Sequence, residues 1–296
     1  MVYAENFDLS QYGQSQLSAH DIYWVKRDGS RVLVRRAGEY LDQENLKRYP
    51  KLDFEIKIDH LKILPAKEIL LKLKTGLRPK EKIKLANNVR DLRSEWFFSP
   101  TSLSPLEIMI LGDEIMSDSY KELASEWSAP STILFQRSCL IASLSLLGAI
   151  SLGYTSWKFL EELWKINFTY SAHFSEKGMK LSDLNDLEKN RTGKDEQTYS
   201  FTLMKSQFVS IVQMTELIFE KSDGTGAPKN ISYHELSDLE RWFNYLHQSI
   251  SWNKTLVDQD NQHWKNIWAE DPFDILSKLQ SDSVDSMNHE YIEFEL

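Results

Sequence analysis

One long stretch without a formal charge restricts what this chain can fold into. It spans residues 138–157, is rich in leucine and isoleucine, and is interrupted by serines and by two glycines. Such a segment is about as long as a bilayer requires, yet an all-round apolar helix is also found in the cores of large proteins. No second span accompanies it, and no basic cluster flanks it. The sequence therefore favours a buried central helix and predicts no membrane span.

Composition bounds the class of protein around that helix. The chain has 296 residues, of which 41% are hydrophobic and 27% are charged, so it can bury a sizeable core. Its single cysteine, Cys139, cannot form an internal disulfide, and residues 1–18 lack the pattern of a signal peptide. A thiolate would be costly in the apolar stretch, so we expect a structural cysteine in a cytoplasmic protein.

The charge of the chain is unevenly spread. A formal net charge of −9 argues against a general nucleic-acid binder. Residues 21–93 hold 19 basic and 11 acidic residues, which leaves 16 basic and 33 acidic residues elsewhere. Such a basic region is a solvated face, steers a partner, or holds the two parts of the molecule together. Its densest cluster is Lys26, Arg27, Arg31, Arg35 and Arg36.

The patterning divides a mainly α protein into five segments. A polar, aperiodic start predicts a flexible arm, a short α/β pattern follows, and an acidic end predicts a solvated tail. The predicted segments are the arm at residues 1–20, a small α/β module at 21–63, a helical connector at 64–104, an all-α domain at 105–280 and the acidic tail at 281–296.

The α/β module is predicted as a hairpin, a helix and a strand. β-branched and aromatic runs at residues 22–25 and 32–34 flank an Asp-Gly pair at residues 28–29. This pattern predicts a hairpin closed by a two-residue type I′ turn. A short helix over residues 41–46 and a half-buried strand over residues 54–58 complete the module.

Apolar periodicity predicts helices through the rest of the chain. The connector is helical and basic, broken by Gly76 and Pro79, and Ser104 before Pro105 suits a helix start. Residues 175–198 are hydrophilic and predict a loop or a frayed helix pair. The predicted helices of the all-α domain are residues 105–126, 135–152, 157–166, 201–219 and 233–252.

The motif most relevant to chemistry follows an apolar helix. Residues 220–228 read Glu-Lys-Ser-Asp-Gly-Thr-Gly-Ala-Pro. Two closely spaced glycines and a proline force a tight loop whose N–H groups could face an anion. The same residues also suit a plain connection between two helices.

This loop resembles the signature of the HD-GYP family, whose pattern is HHExxDGxGYP. The positions that match the pattern are Glu220, Asp223, Gly224, Gly226 and Pro228. The departures are Ile218 and Phe219 in place of the two histidines, and Ala227 in place of the tyrosine.

The similarity extends to both sides of the loop. Residues 132–148 look like the first core helix of the family, with Arg137 near the position of a metal-ligating histidine. Residues 157–174 look like the helix of the His-Asp pair, which would begin at Phe168 or Tyr170 depending on register.

The following helix and the front module also fit the family. Residues 231–251 resemble its next helix, in which Arg241 matches a common arginine and His247 lies near a metal-ligating aspartate. Residues 23–38 look like part of the small domain that precedes many HD-GYP domains. The resemblance therefore implies an all-α HD-GYP-like domain behind an α/β module.

The departures remove the metal ligands that this family needs. A two-metal phosphodiesterase requires several His, Asp or Glu ligands that converge on both ions. None of the seven histidines pairs at ligand spacing, and only His173 and His247 fall near expected metal positions. We therefore expect no metal, no other cofactor and no catalytic residue. The apolar residues expected to fill the former site are Phe168, Tyr170, Ile218 and Phe219.

The resemblance implies a degenerate member of a family that hydrolyses cyclic di-GMP. We expect a pseudo-enzyme that binds a protein partner, for which the family suggests a diguanylate cyclase domain. Binding would use the N-terminal module or the signature loop. The loop residues expected to bind are Asp223, Gly224, Thr225, Gly226 and Lys229.

Two alternatives remain open at this point. The first is an effector that binds cyclic di-GMP without cleaving it, with Arg137, Lys229 and Arg241 supplying charge in place of metal. The second is an active phosphodiesterase with an atypical metal set.

Overall fold

The structure is a computed structural model that is mainly helical, with small antiparallel sheets formed by the N-terminal part. It describes residues 2–4, 16–41, 53–58, 63–98, 103–127, 132–176, 209–218, 220, 224–226 and 229–250. The predicted acidic tail lies outside the described residues. So does the predicted helix over residues 41–46, except for Leu41, which ends a strand.

The described residues include six short strands, which form two sheets. Strands β1, β6, β3 and β4 form a four-stranded antiparallel sheet in that order, and β2 pairs with β5 separately. The larger sheet buries Ile22 and Phe54, which lie on one face, as the alternation of the predicted strands requires. The strands are β1 (Val2–Ala4), β2 (Gln16–Leu17), β3 (Asp21–Val25), β4 (Arg31–Arg35), β5 (Tyr40–Leu41) and β6 (Asp53–Ile58).

The β3–β4 hairpin lies where the sequence predicts it, but its turn is of another type. The Lys26 N–H donates to the Ser30 carbonyl at 2.9 Å, and the Gly29 N–H donates to the Lys26 carbonyl at 2.9 Å. Gly29 has φ of 80°, whereas Asp28 does not have a positive φ. The loop is therefore a tight turn followed by a left-handed glycine, and the predicted type I′ turn is wrong. An Asp-Gly pair suits both geometries, so the pair alone does not decide between them.

The predicted flexible arm contributes to both sheets. Val2–Ala4 pairs with the edge of β6, and Gln16–Leu17 pairs with β5. Leu17 is buried, and the Ser18 N–H donates to the Glu39 carbonyl at 2.8 Å. Strands of two or three residues are too short to show an apolar period, so the sequence pattern does not indicate them.

Seven α-helices are described. Gly76, with φ of 69°, follows the first helix, and a reciprocal pair of hydrogen bonds between Ser104 and Glu107 caps the third, as its Ser-Pro start indicates. The fifth helix continues beyond its predicted end, and the seventh begins later than predicted. The helices are α1 (Leu64–Lys74), α2 (Pro79–Phe98), α3 (Pro105–Trp127), α4 (Thr132–Ser151), α5 (Trp157–Glu176), α6 (Val209–Glu216) and α7 (Asp238–Ser249).

Helix α4 is the central helix predicted from the uncharged stretch. It packs against α2, α3, α5 and α7, and side chains around its whole circumference are buried. Close contact is possible because Gly112 of α3 faces Ser143, and Gly148 of α4 faces Trp242. Among the described residues, no helix combines the length and apolarity needed to cross a membrane.

Candidate functional site

A buried carboxylate organises the predicted loop. Glu220 is fully buried at the start of the loop. Its Oε1 accepts a hydrogen bond from the Lys229 N–H at 2.6 Å, and its Oε2 accepts one from the Ile231 N–H at 3.0 Å. The Glu220 side chain therefore joins the two ends of the loop, because its two partners lie 9 and 11 residues further along the chain.

Helix α7 fixes the same end of the loop. The buried Nδ2 of Asn244 donates to the carbonyls of Leu217, of Ile218 at 3.4 Å and of Glu220 at 3.1 Å. These carbonyls follow α6 and lack the next helical turn to bond to. Asn244 thus anchors the loop entry to the helical core.

The middle of the loop has a backbone shape that few residues tolerate. Gly224 has φ of 77°, and Asn230, at the other end, has φ of 54°. A Cβ added at Gly224 would lie 3.5 Å from the Asn230 carbonyl oxygen and 3.6 Å from the Ser232 nitrogen. Gly224 therefore combines a positive φ with close packing against the backbone of residues 230–232, and both favour glycine at this position.

The loop presents some predicted binding residues to solvent and buries another. Thr225 and Lys229 are exposed, whereas Gly226 is buried. The Lys229 Nζ lies 2.8 Å from Glu216 Oε2 at the end of α6. Asp223, which was also predicted to bind, lies outside the described residues, as do Ala227 and Pro228.

Arg137 is placed differently from the expectation of a phosphate contact. It is buried in α4, where its Nε donates to the Ile250 carbonyl at 2.9 Å and its Nη2 donates to the His247 carbonyl at 3.1 Å. These are the last carbonyls of α7, which cations stabilise. We therefore assign Arg137 to capping α7, because its guanidinium is turned into the protein.

Arg241 retains an unused donor. Its Nη1 lies 3.5 Å from Asp238 Oδ1, and its buried Nε has no hydrogen-bond partner within the described part of the chain. Arg241 lies one helical turn before Asn244 and so shares the face of α7 that meets the loop.

A buried polar pair near the end of α7 was not predicted. His247 Nε2 lies 2.9 Å from Asn167 Oδ1, and Asn167 Nδ2 donates to the Leu163 carbonyl at 2.8 Å. The amide oxygen therefore accepts, so His247 Nε2 carries the proton. Burial, aided by the charge of Arg137, holds the pKa of His247 well below its ordinary value of 6.5. The signal available in the sequence was an asparagine within the apolar face of α5.

Other candidate groups are enclosed in the core. Burial, with a contribution from Asp113, raises the pKa of the Cys139 thiol well above its ordinary value, in keeping with a structural cysteine. Phe168, Tyr170 and Ile218 are buried in one apolar cluster. Phe219 and the side chain of His173 lie outside the described residues. Within the described ranges, no three His, Cys, Asp or Glu side chains are grouped as a metal site requires.

Comparison of the chain with protein-family models, curated proteins and solved structures gives no match.

Proposed function

We propose that this protein is a catalytically inactive, HD-GYP-like binding module that contacts a protein partner through the loop closed by Glu220. The observation that carries the proposal is the pair of hydrogen bonds from the Lys229 and Ile231 N–H groups to the buried Glu220 carboxylate. A loop whose two ends are fixed loses less conformational entropy when it binds than a loop with free ends. That property suits a recognition surface.

The surroundings of the loop support binding rather than catalysis. Positions that resemble the metal-binding positions of the family carry Phe168, Tyr170 and Ile218, and these side chains pack in the apolar core. His247, which was considered as a metal ligand, is buried and hydrogen-bonded to Asn167. Nucleophiles and general bases must reach a substrate, and these groups face the interior.

The resemblance suggests a diguanylate cyclase domain as the partner, which places the protein in bacterial cyclic di-GMP signalling. The test is calorimetric titration of the full chain with a purified cyclase domain. We expect the double variant Asp223→Ala/Lys229→Ala to bind at least about tenfold more weakly, with its melting temperature nearly unchanged. Lys80→Ala, an exposed lysine on α2, is the matched control and should bind as the wild type does.

Two results would overturn this proposal. Absence of binding would exclude the cyclase domain as the partner. Undiminished binding by the double variant would show that the loop serves the fold alone.

A cyclic di-GMP-binding effector is the second candidate, and the Nε of Arg241, which is buried and has no hydrogen-bond partner among the described residues, favours it. A guanidinium with a remaining donor can bind phosphate, whereas the donors of Arg137 face carbonyl groups. Calorimetry with cyclic di-GMP, performed after elemental analysis for metals, separates the possibilities. Binding that Arg241→Ala abolishes would establish the effector. Hydrolysis in proportion to protein would instead establish an active phosphodiesterase.

A further inference from the structure

The outer edge of the four-stranded sheet is a second candidate surface. Strand β4 lies at the end of the order β1–β6–β3–β4 and pairs with β3 alone among the described strands. An edge strand presents N–H and C=O groups that another strand can pair with. Many proteins cover or interrupt such an edge; β4 shifts its register between Leu33 and Arg35, and none of the described strands pairs with its outer side.

The hairpin register shows which groups of β4 point outward. The bond from the Lys26 N–H to the Ser30 carbonyl closes the hairpin, and the pairs from there to Tyr23–Leu33, where the register shifts, alternate between bonded and non-bonded. Val32, opposite Trp24, therefore bonds towards β3. The N–H and C=O of Leu33, one residue further on, point away from β3.

One apolar side chain of β4 projects from each face of the sheet at this edge. Val32 and Leu33 are 37% and 38% exposed, and they are the large hydrophobic residues exposed within the described part. As neighbours in a strand they project from opposite faces. Val32 continues the buried face that contains Phe54, since both lie opposite Trp24. An added strand would thus find apolar contacts on either side.

The charge of the hairpin indicates which kind of partner strand could pair with β4. Arg31 pairs with Glu55 at 2.6 Å, and the Asp28 carboxylate is occupied by Ser30. The remaining charges at the edge are therefore mostly positive. A second copy pairing along the same edge would bring arginines together, which is unfavourable. The basic residues that remain, all exposed or half-buried, are Lys26, Arg27, Arg35 and Arg36.

We propose that the β4 edge docks an extended segment of a partner protein in which acidic and apolar residues alternate. The segment adds as the next strand, with backbone bonds to Leu33, apolar contacts to Val32 and Leu33, and acidic side chains near the basic cluster. This surface is distinct from the loop closed by Glu220, so either proposal can fail without the other.

The probe is a short synthetic peptide of alternating valine and glutamate, labelled with a fluorophore and titrated with the full chain. We expect saturable binding that weakens as salt rises. The matched peptide with lysine in place of glutamate should bind at least about tenfold more weakly. Equal binding of both peptides, or no binding of the glutamate peptide, would overturn the proposal.

Two variants separate backbone pairing from side-chain contact. Leu33→Pro removes the outward N–H and is compatible with an edge strand, so it should abolish binding while the circular dichroism spectrum is preserved. Leu33→Thr keeps that N–H and should retain most of the binding. If Leu33→Pro still binds the peptide as the wild type does, strand addition is excluded.

Two rival occupants are distinguished by further measurements. Residues 291–296 read Tyr-Ile-Glu-Phe-Glu-Leu and have the same alternating chemistry. If Glu293→Lys/Glu295→Lys binds the peptide much more tightly than the wild type, the chain's own segment occupies the edge and the partner is excluded. Equal binding supports a partner. A dimer in light scattering that Leu33→Pro dissociates would point to a second copy instead and overturn the proposal.

Discussion

At the scale of single residues, Glu220 shows why the loop requires a carboxylate. A carboxylate offers two accepting oxygens, and here both receive a backbone N–H. A glutamine has one accepting oxygen, and its amide would turn a donor towards the second N–H. The identity of the residue, and not only its size, therefore fixes the two ends of the loop.

We predict that Glu220→Gln lowers the free energy of unfolding by about 1–3 kcal/mol, because the buried side chain would turn a donor towards one of the two partly buried N–H groups. Urea denaturation measures the change. Glu235→Gln is the control, since Glu235 accepts from Ser232 in the same region but is exposed. We expect a clearly smaller loss for the control. Equal losses for the two variants would contradict the role of Glu220.

His247 provides a prediction about pH. Its pKa in the folded protein lies well below 6.5, because burial and Arg137 disfavour the charged imidazole. The unfolded chain therefore binds a proton near pH 6.5 that the native protein does not bind, and stability falls as the pH decreases below that value. The slope contributed by this group is at most about 1.4 kcal/mol per pH unit.

The variant His247→Gln should remove this slope while keeping an amide donor for Asn167. We compare urea denaturation of both proteins at about pH 7.5 and about pH 5.5, on either side of the ordinary histidine pKa. The wild type should lose more stability on acidification by about 1 kcal/mol. Parallel losses would show that His247 does not contribute to the pH dependence.

The sequence indicated the place of the candidate site but not its internal bonds. Glu220 was recognised as part of a loop pattern, whereas its partners lie 9 and 11 residues further on and depend on how the chain returns. Arg137 was expected to contact phosphate because it is a cation near the position of a metal-ligating histidine in the family that the chain resembles. Its capping of α7 could not be anticipated, since that contact joins residues more than 100 positions apart.

At the scale of elements, the best-predicted helices are those with local signals at their ends. The Ser104-Pro105 start of α3 and the uncharged body of α4 gave their positions closely. The hairpin was located for the same reason. Its turn type was missed because an Asp-Gly pair suits both geometries, and strands β1 and β2 were missed because two or three residues show no apolar period.

The close contact between helices α3 and α4 leads to a prediction about Gly112. A Cβ on Gly112 would lie 1.9 Å from Ser143 Oγ and 2.7 Å from its Cβ. Gly112→Ala should therefore destabilise the protein by about 1–3 kcal/mol through overpacking, although alanine favours a helix. Thermal melting measures the loss.

A double-mutant cycle tests whether this contact is the cause. Ser143→Gly removes the Oγ and Cβ atoms, which lie nearest to the new methyl group, and leaves only the Ser143 Cα position at 3.3 Å. The loss of stability in the double variant Gly112→Ala/Ser143→Gly should therefore be smaller than the sum of the losses in the two single variants. Strict additivity would show that Gly112→Ala acts through something other than Ser143.

At the scale of the whole molecule, the N-terminal strands and the helices share contacts that the division into segments did not anticipate. The Leu17 N–H donates to Asp113 Oδ2 of α3 at 3.3 Å. The Gln136 Nε2 of α4 donates to the Gly38 carbonyl at 2.9 Å, and Gly38 lies against Leu106. The sequence separated an arm at residues 1–20 and an α/β module at 21–63 from the helices, yet Leu17 of the arm and Gly38 of the module both contact the helical core.

Substitution of Leu17 tests whether the N-terminal strands and the helices unfold together. Its side chain is 3% exposed and belongs to the same apolar cluster as α3 and α4. Leu17→Ala should cost about 2–5 kcal/mol, because it leaves a cavity between strand and helix. Since the cavity lies at the junction, we expect amide exchange to accelerate in both the sheet and the helices, with one shared unfolding transition. Val32→Ala, at a position of β4 that is 37% exposed, should cost clearly less stability and should leave amide exchange in the helices unchanged. Accelerated exchange confined to the strands would show that the module unfolds separately from the helices.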